Sequence, residues 1–203
     1  MRWRARAATR PALFRNHRMR EPIEPTETDW DEVVHEHGAA VWRLARRILD
    51  HETDAGDCFQ ETFIAALSAS RAAPVANWPG LLRKLCTARA IDILRRRIRD
   101  RRRTESLEAT ESLTASAADP ADTLAGRELA ARFRAALTAL PRQQAEVFTL
   151  AVVEQVPHAE VAALCGLTPN HVGVLVHRAR ARLREMLAER PGVRPTTGVP
   201  ARS

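Results

Sequence analysis

The sequence predicts an all-α protein in which a flexible acidic linker joins two small helical domains. Alanine, leucine and arginine dominate its 203 residues, and 45% of the residues are hydrophobic but only 4% aromatic, a composition that favours helices. Apolar residues recur at helical spacing, and no run alternates apolar with polar residues over the length of a strand. Basic, acidic and basic segments follow one another along the chain, which indicates a linker between two units.

The charge and the cysteines limit the classes of function. A formal net charge of +7 at pH 7 predicts a polyanionic partner, most often nucleic acid. Cys58, Cys86 and Cys165 form no CxxC or Cys/His cluster, and each lies on the apolar side of a predicted helix. We therefore expect buried thiols in a reduced, cytoplasmic setting, with no disulfide framework, metal site or cofactor. No apolar run approaches the length of a membrane span or signal-peptide core, so we expect no membrane insertion.

Residues 1–27 are predicted to be a disordered basic arm, and the first 20 of them hold seven arginines and no acid. Such a segment also imitates a transit peptide. A third interpretation is that translation starts at Met19, because a Pro/Glu/Thr stretch and then the first clear helix follow it. Residues 1–18 would then be absent from the protein, so we assign the arm no function.

The first helix is predicted over residues 29–49. Thr28 or Asp29 is its N-cap, and acids in the first turn favour the positive end of the helix dipole. Its apolar stripe follows a 3.6-residue period and consists of Trp30, Val33, Val34, His37, Val41, Leu44 and Ile48. We interpret His37 as a packed core side chain.

The second helix is predicted over residues 53–69, with Thr53 or Asp54 as its N-cap. Its buried stripe is formed by the pairs Cys58/Phe59, Thr62/Phe63 and Ala66/Leu67. Other side chains of this helix lie outside the buried stripe, among them Asp57, Gln60, Glu61 and Ile64. Without further context, such an outer face is only a solvated surface.

A loop over residues 70–78 precedes the third helix, which Asn77 opens with Pro79 in its first turn. Its predicted core residues are Leu81, Leu85, Ala88, Ile91, Leu94 and Ile98. The end of this helix carries arginines at positions 95, 96, 97, 99, 101, 102 and 103 against one acid, Asp100. This density exceeds what a solvated helix end needs, and it favours contact with phosphates.

Residues 104–126 are acidic, in contrast to the basic segment before them. They hold five acids among serine, threonine and alanine and no lysine or arginine. We predict a linker here, which separates a first domain over residues 28–103 from a second over 127–189. Two predicted helices, Glu128–Ala139 and Pro141–Glu154, open the second domain. The tail over residues 190–203 is rich in proline, glycine and threonine and is predicted to be disordered.

Residues 158–183 are predicted to form two short helices with a three-residue turn between them. Gly166 ends the first helix in a left-handed conformation, Thr168 caps the second, and Pro169 occupies its first position. The buried stripe continues through the second helix with Val172, Leu175, Val176 and Ala179. This is the pattern of a helix-turn-helix, and an ordinary helical hairpin with a solvated basic tail is the alternative.

Four segments in this order resemble the sigma-70 family of bacterial RNA polymerase initiation factors, specifically its small two-domain extracytoplasmic-function (ECF) group. Residues 54–63 (DAGDCFQETF) resemble the core-binding helix of the family, and residues 78–96 (WPGLLRKLCTARAIDILRR) resemble the helix that meets the −10 element. Residues 139–148 (ALPRQQAEVF) resemble the opening of the C-terminal domain, and the helix-turn-helix resembles the part that reads the −35 element. The resemblance covers about residues 28–187.

The resemblance implies that Asp54, Asp57, Gln60 and Glu61 bind the clamp helices of RNA polymerase core through charge-assisted pairs. It also implies that the third helix and the loop before it bind the −10 element, where melting needs stacking platforms and phosphate contacts. The residues concerned are Asn77, Trp78, Lys84, Arg89, Arg95, Arg96 and Arg97. Asn77 would read a base edge, and Trp78 is either a stacking platform or a core anchor. The linker would thread the polymerase cleft.

The resemblance further implies that the recognition helix enters the major groove at the −35 element. The residues concerned are Thr168, Asn170, His171, His177, Arg178, Arg180 and Arg182, with Arg178 partly buried against its own domain. One departure is that family members commonly carry polar residues after the valine of this helix, whereas here Val172 is followed by GVLV. Either the asparagine and histidines carry the readout, or this domain binds DNA weakly and relies on the polymerase.

The expected function is therefore a sigma factor that binds RNA polymerase core and directs promoter recognition, DNA melting and initiation. Its expected partners are core polymerase and promoter DNA, with an anti-sigma factor as a further candidate. The alternative is a one-component helix-turn-helix regulator that forms no holoenzyme, but residues 28–103 lack the strand–helix alternation of a receiver. An enzyme acting on nucleic acid is disfavoured, because the sequence has no nucleophile constellation, phosphate-binding loop, metal cluster or tyrosine. The segregation of charge disfavours a simple protein-binding scaffold.

Overall fold

The computed structural model describes residues 28–105 and 124–188, and these residues form helices without any strand. The helices are α1 (Trp30–Ile48), α2 (Glu52–Ala72), α3 (Trp78–Glu105), α4 (Leu124–Ala139), α5 (Arg142–Phe148), α6 (His158–Cys165) and α7 (Pro169–Ala188), with a π-helical turn at Thr149–Val153 after α5. The predicted all-α class is confirmed. The predicted basic arm, most of the linker and the tail lie outside the described residues.

Side-chain capping explains where α1 begins but not where α2 begins. Asp29 caps α1, because its Oδ1 accepts a hydrogen bond of 3.1 Å from the backbone amide three residues later. The predicted caps of α2 are wrong, since α2 begins after His51, whose side chain makes no capping bond. Thr53 and Asp54 lie inside the first turn instead. The Asp54 carboxylate accepts a hydrogen bond of 2.9 Å from Arg97 of α3, so this acid joins two helices rather than ending one.

Asn77 caps α3 as predicted. Its Oδ1 accepts a hydrogen bond of 2.8 Å from the Gly80 amide, which satisfies one of the free N–H groups of the first turn. A Cβ at position 80 would lie 2.7 Å from Asn77 Nδ2, so the close approach of the capping amide requires glycine there. The preceding loop is shorter than predicted, at residues 73–77, because α2 continues to Ala72.

Helices α1–α3 form what we call the N-terminal bundle, around one apolar core. Its largest fully buried side chains include Leu49, which follows the last residue of α1, and Leu82 of α3. Trp30 and Trp78 pack edge to face at the border of this core, with ring centroids 5.3 Å apart. The predicted core face of α3 is partly wrong, since Leu82, Cys86, Ala90 and Ile93 fill this core together with Leu94, while Ile91 points elsewhere. Because α3 is apolar on more than one side, its period alone does not select the face that packs on α1 and α2.

Helices α4–α7 form the C-terminal bundle. The predicted helix Pro141–Glu154 is divided, because α5 ends at Phe148 and the π-helical turn follows. Gly166 ends α6 at φ 67°, a left-handed conformation that glycine adopts without strain. The chain bends by 100° between α6 and α7. No single described helix is long and apolar enough to cross a membrane, although this bent pair meets the length and composition requirement when taken together.

The two bundles pack against each other along α3. Ile91 of α3 has no exposed surface and lies in an apolar cluster of the C-terminal bundle. Ion pairs border this contact, with Arg47 Nη1 2.7 Å from Glu154 Oε1 and Arg142 Nη2 2.8 Å from Asp92 Oδ2. The helix that completes the N-terminal core therefore also supplies a side chain to the core of the other bundle.

Candidate nucleic-acid interface

The outer face of α2 presents acidic and amide side chains together with one apolar side chain. We call Asp57, Gln60, Glu61 and Ile64 the α2 outer face, since their spacing places them on one side of the helix. Asp57 and Gln60 are exposed, Glu61 is half-buried, and Ile64 is 64% exposed. Ile64 was not predicted to have a role, although an isoleucine off the buried stripe is a signal of a contact surface. An apolar group within a polar helix face suits a protein partner better than DNA.

Two of the residues predicted with this face have partners inside the molecule. Asp54 pairs with Arg97, as described above, and so belongs to the contact between α2 and α3. Glu61 Oε2 lies 3.7 Å from Arg89 Nε of α3, and both side chains are nearly half exposed. An exposed pair at this distance contributes little to stability, so Glu61 is available to an incoming partner.

The structure does not bring the predicted −10 residues of α3 to one open surface. Arg89 and Arg96 are exposed. Arg97 is engaged within its own bundle, 2.9 Å from Asp54 and 3.4 Å from Asp50. Lys84 and Arg95 instead donate hydrogen bonds to backbone carbonyl groups of the C-terminal bundle.

Asn77 and Trp78 are also held by structural contacts. Besides capping α3, Asn77 places its Nδ2 3.4 Å from Glu160 Oε1 of α6. Trp78 is half-buried and packs on the N-terminal core and on Trp30. Of the two roles considered for Trp78, this position favours the core anchor over the stacking platform.

The helix-turn-helix has the predicted local geometry. Thr168 Oγ1 accepts a hydrogen bond of 3.3 Å from the His171 amide, which caps α7. Val172, Leu175 and Val176 are buried and fix α7 on α6 and the π-helical turn. The side chains predicted to meet DNA lie on α7 or, for Thr168, at its cap, and all of them are exposed: Thr168, Asn170, His171, His177, Arg178, Arg180 and Arg182. Arg178 is therefore not partly buried, and that expectation is wrong.

An open groove runs along the exposed side of the recognition helix. Its volume is about 480 Å³, and it is lined by His158, Pro169, Asn170, Gly173, Val174, His177 and Arg178. Gly173 leaves the floor open, since nothing lies within 4 Å of a Cβ built there. His158 and Val174 were not among the predicted residues. His158 belongs to the start of α6 and reaches α7 only through the turn. Polar side chains beside the exposed Val174 can receive a base edge together with a thymine methyl group.

The cysteines pack as apolar groups. Cys58 and Cys86 lie in the N-terminal core with their Sγ atoms 3.9 Å apart and both thiols free. The hydrogen bond between them lowers the pKa of Cys58 and raises that of Cys86, and burial raises the Cys86 pKa further. Burial also raises the pKa of the half-buried Cys165. Among the residues that the structure describes, no group of three or more His, Cys, Asp or Glu side chains could hold a metal ion.

These positions predict how the thiols react. In the native chain we expect iodoacetamide to modify only Cys165, and all three cysteines should react once the chain is unfolded. Because the raised pKa reduces its thiolate fraction, Cys165 should react more slowly than free cysteine near neutral pH, and its rate should rise as the pH approaches that pKa. Mass spectrometry of timed samples measures this, with Cys165→Ser as the unlabelled control. Rapid native labelling of Cys58 or Cys86 would contradict the buried thiol pair.

A family model and known proteins match this chain in sequence. The family described as sigma-70, region 4 matches residues 130–183. The ECF RNA polymerase sigma factor SigE of Mycolicibacterium smegmatis is 32% identical over 161 residues, which span 79% of this chain but only 62% of that protein. The RNA polymerase sigma-E factor of Streptomyces avermitilis is 31% identical over 170 residues, which span 80% of this chain and 87% of that protein.

Two solved structures have a similar fold. One is the sigma factor RpoE in complex with the anti-sigma factor NepR from Bartonella quintana, with a TM-score of 0.51, 22% identity, and coverage of 79% of this chain and 97% of that one. The other is CnrH in complex with the cytosolic domain of CnrY, with a TM-score of 0.50, 25% identity, and coverage of 78% and 86%. At 22% identity the first of these likenesses concerns the fold alone.

Proposed function

Because the chain belongs to the ECF group of the sigma-70 family, we propose that it binds RNA polymerase core and directs it to a restricted set of promoters. The observation that carries this proposal is the exposure, on one chain, of a polar helix face on α2 and of an arginine-rich recognition helix, α7. The first suits a protein partner and the second suits DNA. The one-component regulator is not favoured, since both curated relatives are RNA polymerase sigma factors.

The α2 outer face is the proposed docking site for the clamp helices of the polymerase. Asp57 and Glu61 would accept charge-assisted hydrogen bonds from arginines, and Gln60 would both donate and accept. Ile64 would add apolar contact area between these polar groups. Asp54 is the least accessible of the four residues predicted for this role, because Arg97 already occupies its carboxylate.

The α3 side of the N-terminal bundle is the proposed −10 interface. Strand separation requires single-stranded bases and backbone to be held by the protein, through stacking and a basic track. Arg89 and Arg96 are exposed and would neutralise phosphates directly. The other polar residues proposed for this interface are held by contacts within the chain and would act after those contacts change: Asn77, Lys84, Arg95 and Arg97.

The exposed side of α7 is the proposed −35 interface. Asn170 and His171 lie in the first turn of α7 with Thr168 as its cap, where a recognition helix meets base edges. Val174 and His177 would extend the reading surface along the groove, and Arg178, Arg180 and Arg182 would hold the backbone phosphates. The apolar stretch after Val172 then serves two purposes, because Leu175 and Val176 fix the helix while Val174 faces the groove.

A mixing experiment tests the proposed function. Purified chain and bacterial core polymerase are incubated together, separated on a sizing column, and assayed by run-off transcription on genomic fragments. Co-elution with new, specific start sites is the expected result. A folded chain that binds DNA alone but never associates with a cognate core enzyme would refute the sigma function and support the one-component regulator. An anti-sigma factor is a further proposed partner, since RpoE was solved in complex with the anti-sigma factor NepR, and CnrH in complex with the cytosolic domain of CnrY.

The exposed arginines of α3 give a second prediction. Arg89→Ala together with Arg96→Ala should reduce open-complex formation. The absolute slope of log affinity against log salt should also fall by about 1 to 2, because each phosphate contact that is lost releases fewer condensed counterions. Arg43→Ala is the matched control, since Arg43 is an exposed arginine on α1 outside the proposed interface. Filter binding of holoenzyme to promoter DNA over a salt series measures the slope. Equal slopes for the double variant and the control would remove these arginines from the interface.

A further inference from the structure

The middle of the recognition helix gives the groove an apolar surface between polar residues. Gly173 and Val174 line the groove, with Asn170 before them and His177 after them along α7. Residues three and four positions apart lie on one side of a helix, so Asn170, Val174 and His177 form one continuous strip. Val174 is 39% exposed, and nothing lies within 4 Å of a Cβ built at Gly173. A ligand in the groove therefore contacts an apolar side chain with open space beside it.

Packing within the chain does not account for the valine at position 174. The apolar cluster beneath α7 is formed with Val172, Leu175 and Val176, and Val174 does not belong to it. Within the described part of α7, Val174 is the one large apolar side chain that is exposed. Its apolar surface therefore faces the groove and is available to a ligand.

The major groove of duplex DNA has one apolar group that suits such a surface. Its base edges present hydrogen-bond donors and acceptors, and the C5-methyl group of thymine is the apolar exception. A valine in contact with that methyl group removes apolar surface of both groups from water, which favours binding. A valine against a polar base edge instead removes a donor or acceptor from water without giving it a partner, which disfavours binding. An exposed valine on a recognition helix can therefore select thymine both by attraction and by exclusion of the other bases.

We propose that Val174 contacts the C5-methyl group of a thymine in the −35 element, so that the chain prefers a T·A pair at that position. The inference rests on the proposed function, since it requires α7 to lie in the major groove of promoter DNA. Phosphate contacts by the exposed arginines of α7 set the position of the helix on the duplex, and Val174 adds sequence information. The apolar stretch after Val172 then takes part in the reading of DNA as well as in the packing of the helix.

Replacing thymine with uracil tests this contact, because uracil lacks the methyl group and keeps the hydrogen-bonding edge. Promoter duplexes from the mixing experiment carry uracil at one thymine of the −35 element at a time. Filter binding at one fixed salt concentration measures the affinity of holoenzyme for each duplex. With the unaltered chain, uracil at one position should weaken binding about fourfold, which corresponds to the loss of one buried methyl-sized group. Holoenzyme that contains Val174→Ser should bind the thymine and uracil duplexes equally.

Val34→Ser is the matched control, since Val34 is 41% exposed on α1 and lies outside the proposed DNA interfaces. This variant should keep the fourfold preference for thymine. Serine and valine have similar helix propensities, so circular dichroism should give the same helix content for both variants and the wild type. A loss of affinity in Val174→Ser is then a loss of contact with DNA.

The outcomes separate the thymine contact from the sigma function. Holoenzyme that binds its promoters with no response to uracil in the −35 element, or with a response that Val174→Ser leaves unchanged, would overturn the thymine contact alone. If no holoenzyme forms, the sigma function is removed, and the same uracil series is measured on duplexes that the full chain alone selects from a random library. A thymine that depends on Val174 in those duplexes supports the contact. Its absence, or a chain that selects no duplex, would overturn the contact as well.

Discussion

Replacing Gln60 and Glu61 with alanine should weaken binding to RNA polymerase core by at least about tenfold, because hydrogen bonds to charged groups are each worth about 1.5–3 kcal/mol. Gln60 is exposed, and the only described contact of the Glu61 carboxylate with a base is the 3.7 Å approach of Arg89. Losing such an exposed pair costs the fold little. The double variant should therefore remain folded, so that its defect is one of binding.

A titration of labelled core polymerase with each variant measures this effect. Glu36→Ala is the acidic control, since Glu36 is exposed on α1 and lies outside the α2 outer face. Its affinity for core should match that of the wild type. Circular dichroism should give the same helix content for all three chains. Unchanged core affinity of the double variant would show that the polymerase docks on another surface.

Leu150→Ala should destabilise the C-terminal bundle by about 3 kcal/mol, within the range found for buried leucine truncations. Leu150 has no exposed surface and lies in the π-helical turn, surrounded by the cluster that also buries Val161, Val172 and Leu175. Its carbonyl accepts a hydrogen bond of 3.0 Å from the Val156 amide, so the backbone at this position is fixed and the cavity left by alanine closes poorly. The recognition helix rests directly on this cluster.

Urea unfolding followed by circular dichroism measures the loss, with Leu129→Ala as the matched control. Leu129 is 55% exposed on α4, and its truncation should change the free energy of unfolding by less than about 0.5 kcal/mol. The Leu150 variant should also lose affinity for −35 DNA while retaining its association with core polymerase. Equal stabilities of the two variants would mean that this cluster does not support the C-terminal bundle.

The sequence predicted the helix starts, the turn and the exposed positions that short-range interactions determine. The start of α1 at Asp29, the cap of α3 at Asn77 and the turn at Gly166 follow from short-range hydrogen bonds and backbone conformation. The exposure of the α7 residues other than Arg178 also followed, because the buried stripe of that helix leaves one side for solvent. In each case the information lies within a few residues of the position concerned.

The sequence did not predict what distant residues determine. The predicted caps of α2 are wrong because the carboxylate of Asp54 instead accepts a hydrogen bond from Arg97, 43 positions away. Ile91 was assigned to the wrong core, since α3 is apolar on two sides and its second partner lies beyond the linker. The engagement of Lys84 and Arg95 depends on carbonyl groups of the other bundle. Periodicity and charge density carry no signal for such contacts.

The aromatic contact between Trp30 and Trp78 has a practical consequence for spectroscopy. All four tryptophans of the chain, at positions 3, 30, 42 and 78, precede the linker, and the chain has no tyrosine. Tryptophan emission therefore reports on the first half of the chain alone, whereas circular dichroism reports on every helix. A denaturation followed by both signals resolves the order in which the two bundles melt. The natural sequence thus supplies a fluorophore specific to the part of the chain before the linker, without any chemical labelling.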